Sequence, residues 1–373
     1  MEAMVIRKLV IALVMAVYRI LAVRSGQSSS GSIVSPDSMF AFGDSLSDTG
    51  NDASAFPGSK PSLHYGQTFF RKFAGRASDG RLLIDFLVLV LSPKLLAQAF
   101  GLPFLSPYLQ GFNADYRHGV NFAARGATAR STSIVTPFFL SVQVSQMIHF
   151  REAVLAAPQA TPLLPNSTVF STALYVIYIG INDFWQNLNN NRMTIQQINS
   201  TVVPQLIQTV PKALERLYHD VGARKFLIVT VPAVGCLPVV LSEFGSSSSE
   251  DYDASGCLRA FDDVVGSYNA RLRALALGFA GKFAQARVFF GDIFAVHKDV
   301  IANPELHGFA PSSKLSACCG GGGKLHEAVK QCGVIATPVC ESPSSYISWD
   351  GIHFTDAFNR VAAASILGSI PSI

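Results

Sequence analysis

Short apolar runs that alternate with helical patterns constrain the fold of this chain more than any other feature of its sequence. Four runs are rich in β-branched and aromatic residues, as buried strands are, and they cover residues 38–42, 174–179, 225–231 and 287–292. Between them, residues 195–221 and 262–283 have apolar positions three to four apart, which predicts helices. This alternation predicts a central, mostly parallel sheet covered by helices. Because no internal repeat or domain boundary interrupts the pattern, we expect one domain over residues 36–370.

The composition agrees with a folded chain that has a sizeable core. Of the 373 residues, 49% are apolar and only 14% are charged, which excludes general disorder. The formal net charge is +4, and no run of Lys and Arg is longer than two. A small, dispersed charge of this kind argues against nucleic acid as a partner.

The first 28 residues have the pattern of a secretory signal peptide. Arg7 and Lys8 precede an apolar run at residues 9–17, and small residues at 25–30 could host cleavage. The apolar run is too short to cross a bilayer, so no stable membrane span is expected. We therefore expect an extracellular, apoplastic protein. An uncleaved anchor, which would retain the protein in the Golgi, is the alternative.

Cysteine and asparagine patterns agree with the secretory route. The chain has six cysteines, at Cys236, Cys257, Cys318, Cys319, Cys332 and Cys340. An even number in an exported chain favours disulfides. One bond would close a local loop between the first two, and two more would tie the adjacent pair to the last two in either order. Zinc is the alternative for the later four, but their spacing lacks the close pairs of zinc sites. Asn166 and Asn199 begin Asn-Ser-Thr triplets, which are acceptors for N-glycosylation.

A carboxylate and an imidazole lie three positions apart in Asp350-Gly-Ile-His353, and Ser45 follows the first predicted strand. A serine hydroxyl attacks an ester only when an imidazole takes its proton, and a carboxylate fixes the tautomer of that imidazole. In open α/β sheets such groups gather beyond the carboxyl ends of the strands. Asn182 follows the second predicted strand in the same way. The pattern therefore indicates a serine ester hydrolase.

Four blocks of sequence, in order along the chain, resemble the GDSL esterase/lipases of the SGNH hydrolase superfamily. They are Phe-Gly-Asp-Ser-Leu-Ser-Asp-Thr-Gly-Asn at 42–51, Gly-Val-Asn-Phe-Ala-Ala-Arg-Gly-Ala-Thr-Ala at 119–129, Tyr-Ile-Gly-Ile-Asn-Asp-Phe at 178–184 and Trp-Asp-Gly-Ile-His-Phe-Thr at 349–355. The long form, with a cysteine- and glycine-rich stretch before the last block, is similar to the plant branch.

The resemblance implies a three-layer α/β/α, flavodoxin-like fold and a role for each matching residue. Ser45 would be the nucleophile, His353 the general base and then the general acid, and Asp350 its orienting carboxylate. The oxyanion donors would be the backbone N–H groups of Ser45 and Gly126 and the side-chain amide of Asn182. Glycine suits close approach of the backbone to the substrate, and a neutral amide donates without adding charge. This chemistry requires no metal and no organic cofactor.

Two features depart from the family pattern. Arg125 stands before the oxyanion glycine, where the family commonly has a small residue. Leu87–Leu96 exceeds the family's usual spacing by nine or ten residues, which indicates either a hydrophobic surface loop or an error in the coding sequence.

Asp44 and Asp48 are expected to shape the first loop rather than to act in catalysis.

The substrate is less constrained than the reaction. Lipids, O-acetylated cell-wall polysaccharides such as xylan, and esters of specialised metabolites are all handled by relatives. Secretion and glycosylation favour the acetylated polysaccharides. Acyl transfer to an alcohol is a related alternative. A catalytically silent binding protein on the same scaffold is an alternative from a different class.

Overall fold

The computed structural model describes residues 38–57, 64–91, 104–157, 161–322, 330–333 and 337–370. The signal peptide expected over residues 1–28 lies outside these ranges, and so do residues 92–96 of the apolar segment. The assignment of residues 36–370 to one domain stays a prediction.

Five parallel strands form the sheet. They are β1 (Met39–Gly43), β2 (Gly119–Asn121), β3 (Leu174–Tyr178), β4 (Lys225–Val229) and β5 (Arg287–Gly291). Their order is β2-β1-β3-β4-β5, which is the flavodoxin-like order. The four strands expected from apolar runs are confirmed. Sequence reasoning missed β2, because a strand of three residues leaves no apolar run to recognise.

Helices connect the strands and cover the sheet. They are α1 (Asn51–Ala55), α2 (Leu83–Leu91), α3 (Leu140–Ala156), α4 (Val169–Thr172), α5 (Ile181–Asn189), α6 (Ile195–Gln197), α7 (Val203–Leu206), α8 (Thr209–Arg216), α9 (Pro238–Phe244), α10 (Arg259–Lys282), α11 (Ile293–Ala302) and α12 (Asp356–Ser369). One group consists of α3, α8 and α10, and another of α2, α11 and α12. Both groups contact the sheet, so the architecture is the three-layer α/β/α fold.

Two of the expected helical regions differ in detail from the sequence pattern. Residues 195–221 are helical but irregular, because π-helical turns at Ile198–Val202 and Leu217–Val221 interrupt the α-helical geometry. The second region begins three residues earlier than expected, as α10. In the apolar segment, residues 87–91 complete α2, and Leu87 and Val88 are buried. Of the two alternatives for the segment, a surface loop does not describe this part of it, and the coding-sequence alternative stays open.

The strands β1 and β3 are buried along their whole length, which explains their continuous apolar sequences. On β1, Phe40 and Phe42 have no exposed surface, and the Phe42 ring stacks on Phe122 with centroids 5.3 Å apart. Dense aromatic packing leaves the strand little freedom. The loop that follows β1 therefore starts from a fixed point.

Within the described ranges, no helix is both long enough and apolar enough to cross a membrane.

Candidate active site

Ser45 lies in a tight turn directly after β1. The turn begins at Gly43, whose peptide N–H donates to Gln143 Oε1 (2.8 Å) and whose carbonyl accepts from Gln143 Nε2 (2.7 Å). A Cβ at Gly43 would lie 2.2 Å from the carbonyl oxygen of Tyr178 on the neighbouring strand, so only glycine fits. Ser45 is 4% exposed. The strand end and the buried glutamine thus fix the position of the serine.

Asp350 and His353 are brought together by the turn that contains them. Asp350 Oδ1 accepts hydrogen bonds from the backbone N–H groups of Ile352 (3.1 Å) and His353 (2.8 Å). Gly351 has a φ of 96°, which favours glycine at this place. The turn leaves Asp350 Oδ2 2.6 Å from His353 Nδ1. The Asp350 carboxylate therefore orients the His353 ring although only three positions separate the two residues.

The serine, histidine and aspartate form a continuous hydrogen-bond relay. Ser45 Oγ lies 2.7 Å from His353 Nε2, across 308 residues of sequence. Burial alone would raise the pKa of Asp350, but the charge and hydrogen bonds of His353 hold that pKa well below its usual range. The carboxylate accepts a hydrogen bond from the Nδ1–H group, which leaves Nε2 as the acceptor for the serine O–H. This is the arrangement that a histidine base requires.

Tyr65 is a member of this relay that sequence reasoning missed. Its hydroxyl donates to Asp350 Oδ2 at 2.7 Å, and its ring packs edge-on against Trp349 with centroids 6.3 Å apart. Burial, followed by the neighbouring Asp350, raises the pKa of Tyr65 far above its usual value, so the phenol keeps its proton. The residue lies outside the four sequence blocks, so no sequence signal pointed to it.

The two other expected oxyanion donors lie in contacting segments. Gly126 has a φ of 76°, and a Cβ there would lie 2.4 Å from Val135 Cγ1. Asn182, at the start of α5, is 8% exposed, and its Nδ2 donates to the carbonyl of Ala127 at 3.0 Å. An amide nitrogen has two N–H groups, so a second donor is available on Asn182.

Two buried aspartates hold the ends of the loop that contains Gly126. Asp48 Oδ2 accepts from the N–H of Arg125 at 2.8 Å, and Asp183 Oδ2 accepts from the N–H of Ala129 at 2.7 Å. Asp183 also pairs with the Arg130 guanidinium at 3.0 Å. Burial raises the pKa of both aspartates to about 6. These residues act on the site through the loop geometry.

Asp44 and Asp48 shape the first loop, as expected. Asp44 Oδ1 accepts from the N–H of Leu46 at 3.0 Å, and Asp48 Oδ1 accepts from Gly50 (2.7 Å) and Asn51 (2.6 Å). Burial raises the pKa of Asp44 to about 7. Both carboxylates are thus committed to backbone geometry around the serine.

A small cleft opens beside Ser45. Its volume is about 10 Å³, close to the space of one water molecule. Its lining includes Asp52, Phe73, Ala77 and Arg125. The cleft is therefore narrow and has charged groups on its rim.

The six cysteines form three disulfides. The bonds are Cys236–Cys257, Cys318–Cys340 and Cys319–Cys332. Sulfurs in disulfides are not thiolates, so the arrangement differs from the zinc alternative. The backbone N–H groups of Cys318 and Cys319 donate to the carbonyls of Ser348 (3.1 Å) and Trp349 (2.6 Å). The disulfide-bonded segment therefore lies directly against the residues that precede Asp350.

Both candidate glycosylation sites are accessible. Asn166 and Asn199 are exposed, the former in a loop and the latter in a helical turn. Exposure is a requirement for modification of either side chain.

Comparisons with known proteins identify a family and several relatives of this chain. The family model for GDSL-like lipase/acylhydrolase matches residues 39–366. A GDSL esterase/lipase of Arabidopsis thaliana is 36% identical over 356 residues, covering 90% of this chain and 88% of the relative. An esterase of Hevea brasiliensis is 35% identical over 343 residues, covering 86% and 83%. The solved structure of phospholipase A1 from Streptomyces albidoflavus NA297 aligns with a TM-score of 0.41 and 14% identity, covering 90% of this chain and 99% of that one.

Proposed function

Because this chain belongs to the GDSL-like lipase/acylhydrolase family and is a carboxylic ester hydrolase, we propose that it cleaves esters through an acyl-enzyme on Ser45. The observation that carries this proposal is the hydrogen-bond relay from Ser45 through His353 to Asp350, with distances of 2.7 and 2.6 Å. Each group has the partner that its role demands.

In the first half of the reaction, Ser45 Oγ attacks the ester carbonyl while His353 Nε2 takes the serine proton. The carbonyl oxygen becomes an oxyanion, which the N–H groups of Ser45 and Gly126 and the second N–H of Asn182 would stabilise. The intermediate then collapses, the C–O bond to the alcohol breaks, and His353 returns the proton to the departing oxygen. The acyl group is left on Ser45.

In the second half, water takes the place of the alcohol. His353 Nε2 accepts a proton from the water as its oxygen attacks the acyl carbonyl. The intermediate collapses, the Ser45 ester bond breaks, and the proton returns to Ser45 Oγ. Asp350 remains ionised throughout, because its role is to orient and stabilise the imidazolium. The products are a carboxylic acid and an alcohol.

Replacement of the nucleophile tests the proposal. Ser45→Ala should abolish hydrolysis of p-nitrophenyl acetate and irreversible labelling by a fluorophosphonate. Ser47→Ala is a matched control, because that hydroxyl is buried two residues away and has no hydrogen-bond partner among the described residues. Wild-type turnover by folded Ser45→Ala would refute the assignment. Absence of labelling in folded wild-type protein would favour the binding-protein alternative.

We further propose that the acyl group is short and that O-acetylated cell-wall polysaccharide, such as xylan, is the substrate. The narrow cleft beside Ser45 supports this, because it leaves little room for a long acyl chain. A polar rim with Asp52 and Arg125 suits a carbohydrate alcohol.

A panel of substrates distinguishes an acetyl esterase from a lipase. The proposal expects kcat/KM to fall from acetyl through butyryl to long-chain p-nitrophenyl esters, together with release of acetate from acetylated xylan. A preference for long chains would favour the lipase alternative.

Secretion with N-glycosylation belongs to the same proposal. Three disulfides and two exposed acceptor asparagines support it, since disulfides persist in oxidising compartments. Expression of the full chain in plant cells should place the protein in the medium, and N-glycosidase should lower its apparent mass. Retention in the cell fraction would favour the anchored alternative.

A further inference from the structure

Arg125 lines the cleft beside Ser45, and its side chain forms no ion pair among the residues that the structure describes. We propose that Arg125 is an anion-binding residue and that the preferred esters have a carboxylate close to the scissile bond. This rests on the proposed function and specifies its substrate class. Acetyl esters of acidic polysaccharides, in which uronic acids supply the carboxylate, belong to this class.

The backbone of Arg125 is fixed beside the reacting groups. Its N–H donates to Asp48 Oδ2 at 2.8 Å, and the next residue is Gly126, whose N–H is an expected oxyanion donor. The residue lines the same cleft as Ser45. A substrate carbonyl held over Ser45 would therefore lie close to the Arg125 side chain.

The guanidinium of Arg125 is available for a ligand. It is half-buried, and it takes part in no ion pair and no side-chain hydrogen bond among the residues that the structure describes. Two nearby arginines differ in this respect. Arg76, which also lines the cleft, binds Asp85 through two hydrogen bonds of 2.7 and 2.8 Å. Arg130 is paired with Asp183.

Neither of the two acidic residues that line the cleft, Asp48 and Asp52, forms an ion pair with the Arg125 side chain. Asp48 is buried, and its two oxygens accept hydrogen bonds from four backbone N–H groups. Asp52 lies on the rim and forms no ion pair with Arg125. Burial raises the pKa of Asp52, and the charge of Arg125 acts in the opposite direction. A carboxylate on the substrate would therefore be attracted by Arg125 and repelled by Asp52.

Arginine is suited to this role because its planar guanidinium offers paired donors that match a carboxylate. Partial burial reduces screening by solvent, so the attraction is stronger than at an open surface. At the ordinary distance of an ion pair, the preference should be on the order of tenfold in kcat/KM.

The test compares two acetyl esters of similar size, the anionic 4-acetoxybenzoate and the neutral 4-acetoxybenzamide. The measured quantity is the ratio of their kcat/KM values at pH 7.5 and low ionic strength. Differences in leaving-group reactivity cancel when this ratio is compared among variants. The variants are Arg125→Gln, Arg125→Lys, Asp52→Asn and Arg271→Gln. Arg271 is exposed on α10 and outside the cleft, so its replacement removes the same charge elsewhere.

We expect Arg125→Gln to lower the anionic-to-neutral ratio about tenfold and Arg125→Lys to lower it less. Asp52→Asn should raise the ratio, and Arg271→Gln should leave it at the wild-type value. Added salt should reduce the wild-type ratio and have little effect on that of Arg125→Gln.

An unchanged ratio in Arg125→Gln, with measurable turnover of the neutral ester, would overturn the inference and leave the esterase proposal intact. An equal fall of the ratio in Arg271→Gln would also overturn the inference, because the effect would then come from the net charge of the protein. If folded wild-type protein cleaved neither ester, both the inference and the proposed function would fail.

Discussion

At the scale of single residues, Tyr65 shows how the carboxylate of the relay is held. Asp350 Oδ2 accepts hydrogen bonds from both Tyr65 and His353, while Oδ1 is occupied by backbone N–H groups of its own turn. The turn was predictable, because Asp-Gly-Ile-His contains both partners within four residues. Tyr65 was not predictable, because its contact joins positions 285 residues apart and depends on how two loops meet.

Tyr65→Phe should slow the reaction without preventing folding. The variant loses one hydrogen bond to a charged oxygen, so Asp350 is less firmly oriented and we expect kcat to fall about tenfold. Tyr175→Phe removes a comparable buried hydroxyl, which donates to the Phe170 carbonyl within the core, and is the matched control. Steady-state kinetics on p-nitrophenyl acetate and thermal melting of both variants provide the measurements. Equal kcat values in the two variants would contradict a positioning role for Tyr65.

At the scale of elements, helix α5 holds the loop that contains Gly126, an expected oxyanion donor, through one turn of side chains. Asn182 binds the Ala127 carbonyl, Asp183 binds the Ala129 N–H, and Gln186 Nε2 binds the Gly126 carbonyl at 2.8 Å. Asn182 and Gln186 are four residues apart and thus share a face of the helix. Sequence reasoning identified Asn182 from its block. Gln186 lies outside the four sequence blocks. Its spacing of four residues from Asn182 on the same predicted helix face could have pointed to it.

Gln186→Leu should impair catalysis more than substrate binding. Without this donor the Gly126 carbonyl loses one of two side-chain hydrogen bonds, the other being from Ser133 Oγ. The adjoining Gly126 N–H, an expected oxyanion donor, is then less well oriented. We expect kcat to fall about tenfold with KM nearly unchanged. Gln208→Leu, at an exposed position beyond α7, is the control. A rise in KM with normal kcat would instead assign Gln186 to substrate binding.

At the scale of the whole described structure, the sheet was the most predictable feature and the buried charges were the least. Long apolar runs identify β1, β3, β4 and β5. Burial along the whole length explains the runs in β1 and β3, whereas β5 lies at the sheet edge and is only partly buried. The burial of Asp44, Asp48 and Asp183 could not be read from their neighbours. It follows from the convergence of strand ends on one edge, where backbone N–H groups from several loops compensate the carboxylates.

The buried Asp44 should give the protein an unusual dependence of stability on pH. Its folded-state pKa of about 7 lies above the ordinary value of 3.8, so between those values the folded state binds the proton that the unfolded state releases. The contribution of Asp44 to stability therefore decreases as the pH rises from about 4 to 7, by up to about 1.4 kcal/mol per pH unit.

Asp44→Asn does not titrate, so its free energy of unfolding should rise relative to that of wild type over this pH range. Urea unfolding at pH 4.5, 5.5, 6.5 and 7.5 measures the difference. Asp263→Asn, at an exposed position on α10, is the control. A difference between Asp44→Asn and wild type that stayed constant over the four pH values would refute the raised pKa.

The sequence separation between Ser45 and His353 has a consequence for biosynthesis. Ser45, the proposed nucleophile, and His353, its proposed base, are 308 residues apart. At about 5–20 residues per second, the ribosome makes Ser45 roughly 15–60 s before His353. A nascent chain therefore contains the nucleophile without the group that activates it. In the proposed mechanism, ester hydrolysis therefore requires that translation is nearly complete.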